Sequence, residues 1–144
     1  MKTIAEKLKA SGLKVTQQRM AIFKTLTLTK EHPSAETIYK VLSGEYPSMS
    51  LATVYKTMYT LKVAGLVKEI NTGEDYFRYD ANVEPHPHAT CNVCHKVVDI
   101  EGIEVPAGIR AQAEEKSGFS LNEERVYFFG VCAECKAALP LNAG

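Results

Sequence analysis

Apolar residues recur at helical spacing through the first 65 positions of the chain and then break into short runs around polar turns. Ile4 and Leu8 mark a first helix over 4–12, with Gly12 as its stop. Thr16 is placed to cap a second helix whose apolar side is Ala21, Ile22, Phe23 and Leu26. The triplet His32-Pro33-Ser34 opens a third, with Pro33 suited to the first helical position and Ile38, Tyr39 and Leu42 facing inward. The stretch 44–47 breaks that helix, and Ser50 is a natural N-cap for a fourth over 51–64. Val54, Met58 and Leu61 form its buried stripe, and Gly65 ends it. Residues 66–70 and 76–79 flank a polar, glycine-containing turn over 71–75, which predicts a β-hairpin. Small helices followed by a hairpin make a winged helix-turn-helix. Such a domain sends its last helix into a DNA major groove.

Beyond residue 80 the pattern changes. Residues 81–88 are polar and broken by prolines, and read as a linker running into a strand. Strands are expected over 89–91, 96–101 and 124–131, a helix over 106–117 stopped by Gly118, and a short C-terminal helix. The expected fold class is therefore α+β. A winged-helix domain over 1–80 is followed by the linker 81–88 and an α/β domain over 89–144.

Charge sharpens this division. The 144 residues carry no net charge, yet positions 1–68 hold eleven Lys or Arg against four Glu, while positions 69–144 hold six against thirteen acidic residues. A basic first half suits phosphates and an acidic second half suits cations. No run of 18 apolar residues exists, and the first residues lack the apolar stretch of a signal peptide, so a cytoplasmic protein without a membrane span is expected. In a reducing compartment, paired cysteines are more often metal ligands than disulfides.

The four cysteines form two such pairs, Cys91-x-x-Cys94 and Cys132-x-x-Cys135. A two-residue gap lets both thiolates reach one ion, and two pairs supply the four soft ligands of a closed structural zinc site. A redox dithiol is the competing reading. A closed four-thiolate site stabilises a fold and does no catalysis, so the function is sought elsewhere. His86 and His88, two apart in an extended segment, share a face, and Asp80 has the same parity. Asp99 follows the first cysteine pair, and His32 lies far upstream in the basic half. Taken singly, His32 reads as a cap, Asp80 as a turn residue and Asp99 as an outward strand residue; His95 reads as a surface residue. Converged, the five candidates offer three nitrogens and two carboxylates, a set that suits Fe(II), Mn(II), Co(II) or Zn(II).

At this point the chain resembles the ferric uptake regulator family of metal-dependent repressors. The resemblance rests on Thr16-Gln17-Gln18-Arg19, the segment from His32 to Tyr39, Ser50-Leu51-Ala52-Thr53-Val54-Tyr55-Lys56, His86-Pro87-His88-Ala89-Thr90-Cys91, and Val131-Cys132-Ala133-Glu134-Cys135. It covers nearly the whole chain and is strongest toward the peroxide-sensing branch. That branch implies a regulatory Fe2+ or Mn2+ held by His32, Asp80, His86, His88 and Asp99, beside structural Zn2+. The iron-sensing branch usually has Glu at the places of Asp80 and Asp99. Its further metal site is not expected here, where Pro85, Pro87 and Val131 stand. Pro87 replaces a bulkier residue, and His95 replaces a usual Gly.

The resemblance implies a homodimer, paired through residues 89–144, that binds double-stranded operator DNA. Tyr55 is the expected base reader. Ser50, Thr53, Lys56, Lys14 and Arg19 are expected on phosphates. It further implies that peroxide reacting at the iron-loaded site adds oxygen to His32 or His86, which opens a clamp between the domains. This is one-shot chemistry on the protein, not enzymatic turnover, and it needs no small organic substrate. An iron- or manganese-availability repressor is the alternative. A metallohydrolase built on His86, His88 and Asp80 lacks an obvious general base, and a zinc-stapled interaction module would show no salt-dependent DNA affinity.

Overall fold

Capping explains where most of the helices begin. The structure, a computed structural model, describes residues 1–84 and 86–138; Pro85 of the expected linker and positions 139–144 lie outside the described residues. The chain divides into two compact units, Met1–Glu84 and Pro85–Gly144.

In the first unit, α1 (Ile4–Ala10) starts at Thr3, whose hydroxyl accepts from the Glu6 N–H while Glu6 reaches back to the Thr3 N–H. α2 (Gln17–Thr27) is capped by Thr16 and α4 (Leu51–Val63) by Ser50, each hydroxyl accepting from the N–H three residues on. α3 (Ala35–Leu42) departs from expectation. Ser34, not Pro33, is its boundary: the serine hydroxyl accepts from the Thr37 N–H, which leaves Pro33 outside the helix. Both residues carry start signals, and the side-chain hydrogen bond outweighs the fixed φ of proline.

The four helices enclose one apolar cluster that includes Leu8, Ile22, Leu26, Ile38, Val54, Met58 and Leu61. The hairpin pairs β1 (Lys68–Ile70) with β2 (Arg78–Asp80), antiparallel, with Lys68 opposite Asp80. Asp80 is thus a strand residue and not part of a turn. β2 also grips the segment before α3. Ser34 forms a bridge with Arg78, and the Tyr79 N–H donates to the Pro33 carbonyl at 3.0 Å.

The second unit is a three-stranded sheet in the order β4-β3-β5. β3 (His88–Cys91) runs antiparallel to β4 (Val97–Asp99) and parallel to β5 (Tyr127–Gly130). The parallel pair requires a crossover, and the long segment bearing α5 (Ile109–Ser117) supplies it. α5 is shorter than expected and has no buried residue; Gly108, in the left-handed region at φ +86°, precedes it without a side-chain cap. α6 (Ala133–Ala138) follows Cys132 directly. Pro87, Cys91 and Val97 are the buried apolar residues in this unit among those described, whereas Phe119, Phe128 and Phe129 are exposed.

Candidate metal centres and nucleic-acid interface

The four thiols gather in the second unit, where every sulfur lies within 4.8 Å of the others. The fold explains this. β3 ends at Cys91, and the parallel neighbour β5 delivers the chain to Cys132. Cys94 Sγ and Cys132 Sγ are 3.8 Å apart. Zinc–sulfur bonds of about 2.3 Å give a tetrahedron with sulfur–sulfur edges of about 3.8 Å, so the cage fits the ion.

Backbone N–H groups of Val93, Cys94 and Cys132 each point at Cys91 Sγ at 3.4 Å. Those of Cys132 and Cys94 contribute most to pulling the Cys91 thiol down to about 6. Cys135 is pushed the other way, up to about 12, chiefly by its contact with the Cys132 sulfur. Four thiolates within 4.8 Å of one another repel, so deprotonating the full set calls for a cation at its centre. The knuckle turns at His95, whose φ of +65° lies in the left-handed region. Glycine takes that conformation freely, and a side chain there costs about 1–2 kcal/mol.

The histidines and carboxylates fall into two sets, one per unit. In the first unit, His32 Nε2 stands 3.2 Å from Asp80 Oδ2, and the histidine is 1% exposed. β2 brings them together by carrying Asp80 and holding the segment after His32. In the second unit, Asp99 Oδ1 lies 2.9 Å from His86 Nε2 and 3.1 Å from His88 Nε2. Register accounts for this: His88 is directly opposite Asp99, and the Ile100 N–H bonded to the Pro87 carbonyl at 2.9 Å continues the ladder. The two imidazoles lie 4.5 Å apart between ring centroids, and Tyr127, opposite His88 on β5, stacks on its ring. Two nitrogens converging on one carboxylate oxygen make a ready N/O chelate.

The candidate DNA-facing residues are less uniform. Lys14, Ser50, Tyr55 and Lys56 are exposed, and Arg19 and Thr53 are half-buried. Arg19 already donates to the Lys14 carbonyl at 2.7 Å. Ser50 and Thr53 bond to each other through the cap of α4. The Tyr55 hydroxyl donates to the Glu36 carboxylate, and this bond is the main reason Glu36 ionises below the usual carboxylate range.

Sequence reasoning missed Glu36, and it also missed Arg78 and Glu74. Arg78 Nε donates to Glu74 at 2.9 Å, and its Nη1 faces the Glu31 and His32 carbonyls at 3.4 and 3.3 Å. Strand parity pointed to Arg78, since it shares a face with Asp80.

The ferric uptake regulator family model matches residues 10–129. The chain belongs to the ferric uptake regulator family. Among family relatives, the peroxide operon regulator of Bacillus subtilis is 38% identical over 137 residues, covering 94% of this chain and 92% of its own. The peroxide-responsive repressor PerR of Staphylococcus aureus is 35% identical over 129 residues, covering 90% and 86%. Among solved structures, the Campylobacter jejuni peroxide stress regulator superposes with a TM-score of 0.65 at 34% identity, over 94% of this chain and 100% of that one. As a ferric uptake regulator protein the chain is a metal-dependent regulator. Its cysteine cage suits structural zinc, and its N/O donors suit the regulatory metal.

Proposed function

We propose that the protein is a homodimeric transcriptional repressor that binds operator DNA when loaded with Fe2+ or Mn2+ and senses peroxide by oxidation of its own histidine ligands. The observation that carries this reading is the split donor set. The first unit offers His32 and Asp80, and the second offers His86, His88 and Asp99. Neither set alone fills the coordination shell of such an ion, so a metal that takes ligands from both fixes the units relative to each other. That preference for one arrangement is how binding energy at the metal becomes DNA affinity. Asp80 and Asp99, in place of Glu, favour the peroxide-sensing branch, as do the relatives' names.

Residues 1–80 are read as the DNA-binding domain, 81–88 as the linker and 89–144 as the dimerisation domain, with Cys91, Cys94, Cys132 and Cys135 as the zinc ligands. Tyr55 on α4 reads bases, and Lys14, Arg19, Ser50, Thr53 and Lys56 hold phosphates. The exposed Phe128 and Phe129 on edge strand β5 support pairing with a second copy. No helix among the described residues is long and apolar enough to cross a membrane, which accords with a cytoplasmic regulator.

Bound ferrous iron would lend the electron that breaks the O–O bond of peroxide and take one back as an imidazole C–H is oxidised, so that one oxygen goes to the ring and the other leaves as water. The chain's part is to present an imidazole beside that event: His32 or His86 gains an oxygen atom, becomes a poorer donor and releases the clamp. The test is operator binding by zinc-loaded protein with Fe2+ or Mn2+, before and after peroxide, with mass mapping. Loss of binding in the iron form alone, with 16 Da added to a peptide containing His32 or His86, is expected, where the mass is about that of one oxygen atom. Peroxide-insensitive binding makes the protein a metal-availability repressor. Absence of any metal-dependent, salt-sensitive DNA binding overturns the repressor reading.

A further inference from the structure

His32 is a ligand candidate held in an unusual backbone state. Its φ of +54° lies in the left-handed region, which costs an L residue with a side chain about 1–2 kcal/mol. It is also buried, with 1% of its surface exposed. Something must hold this residue, and the bonds of β2 to Pro33 and Ser34 act only on the side after it.

The other side is met by Arg78. Its Nη1 faces the carbonyls of Glu31 and His32 at 3.4 and 3.3 Å, and its Nε donates to Glu74 Oε1 at 2.9 Å. One planar guanidinium thus spans the His32 backbone and the turn of the hairpin, a geometry that a lysine ammonium cannot copy. Glu74 is itself fixed, accepting from the Thr72 hydroxyl at 2.6 Å and from the Tyr76 hydroxyl. Arg78 and Asp80 lie two apart on β2 and so share a face. One short strand therefore carries the ligand Asp80 and the group that braces the ligand His32.

We propose that Arg78, steadied by Glu74, is a positioning residue for the regulatory metal, setting the His32 imidazole against Asp80 through the His32 backbone. The inference rests on the reading of His32 and Asp80 as ligands. It makes the hairpin turn part of the metal-sensing apparatus: a change at Glu74, outside the donor set, alters metal affinity.

The test uses the full, zinc-loaded chain and Mn2+ alone as the probe, without DNA. R78K is expected to weaken Mn2+ binding about 10- to 100-fold, the range seen when groups that orient ligands are removed. E74Q acts in the same direction by a smaller factor. Both should also shift the visible absorption bands of Co2+ bound in the regulatory site, a change that mere loss of stability does not produce. Zinc content and melting temperature are followed in parallel. If R78K fails to fold, E74Q decides, since it keeps the size and shape of the side chain. A folded R78K, or a folded E74Q in its stead, with unchanged Mn2+ affinity and Co2+ bands overturns the proposal. H32A separates the two levels. If H32A binds Mn2+ as the natural chain does, the assignment of His32 as a ligand falls. If H32A loses binding while R78K and E74Q do not, only the positioning role falls.

Discussion

Arg19 and Lys56 are both expected on phosphates, yet their surroundings differ. Lys56 is exposed on α4, whereas Arg19 is half-buried and donates to the Lys14 carbonyl. Replacing Lys56 by Ala is expected to weaken binding evenly across DNA sequences and lower the salt slope by about 1. Replacing Arg19 by Ala should do less to the slope and more to stability, because the Lys14 carbonyl loses its donor. Binding measured across a salt series, beside a thermal melt, separates the two. The same contrast shows what residue identity conveys and what it omits. Four cysteines at paired spacing name their ion, because spacing and softness are local properties. The pairing of His32 with Asp80 is not local: it depends on β2 lying against the segment before α3, which no periodicity encodes. Glu36 was invisible for the same reason, since its partner Tyr55 lies on another helix.

Among the elements, helix starts were legible wherever one side chain decides them. Ser50 is such a case, with its hydroxyl 3.0 Å from the Thr53 N–H. Ser50→Ala should cost about 1 kcal/mol of stability, read from denaturant unfolding. α3 starts after Ser34 and not at Pro33 because the two residues carry competing signals, and α5 starts later than its pattern predicts because only Gly108 precedes it as a cap.

The hairpin turn allows a pH prediction. Burial opposes ionisation of Glu74, but hydrogen bonds from Thr72, Tyr76 and Arg78 outweigh it and hold the carboxyl at about 2. A free glutamate titrates near 4.3, so the folded value is depressed. Its contribution is therefore present above about pH 4.3 and lost as pH falls toward 2. Against E74Q, the natural chain should be more stable by on the order of 1 kcal/mol near neutrality, with the difference cut to roughly half at pH 3 and lost only as pH falls to 2 and below. Urea unfolding at pH 6 and at pH 3 tests this.

For the whole molecule, the two units differ in what holds them. The first has a many-sided apolar cluster, while the second buries only Pro87, Cys91 and Val97 as apolar side chains among the described residues. A unit so poor in core relies on its metal. Stripping zinc with a chelator, or replacing Cys94 by Ser, is expected to unfold the second unit and leave the first intact. Amide hydrogen exchange would show protection lost over residues 88–130 and retained over α2 and α4. Retained protection in both units after zinc loss would count against a structural role for the cage. Charge asymmetry and linker composition made the existence of two regions readable in advance. The strand order was not, because β3 and β5 are neighbours in space but far apart along the chain.

That parallel pairing has a kinetic consequence. Cys91 and Cys132 are 41 positions apart, and closing a flexible loop of that length costs about 3 kcal/mol in chain entropy. Parallel strands of such separation form slowly. Until they form, the unpaired backbone of β5 stands open beside the exposed Phe128 and Phe129, a segment suited to clumping with other chains. A zinc ion taken early by Cys91 and Cys94 and then joined by Cys132 and Cys135 would shorten that search. Zinc supply during synthesis would then decide the yield of soluble protein, before any signal is sensed.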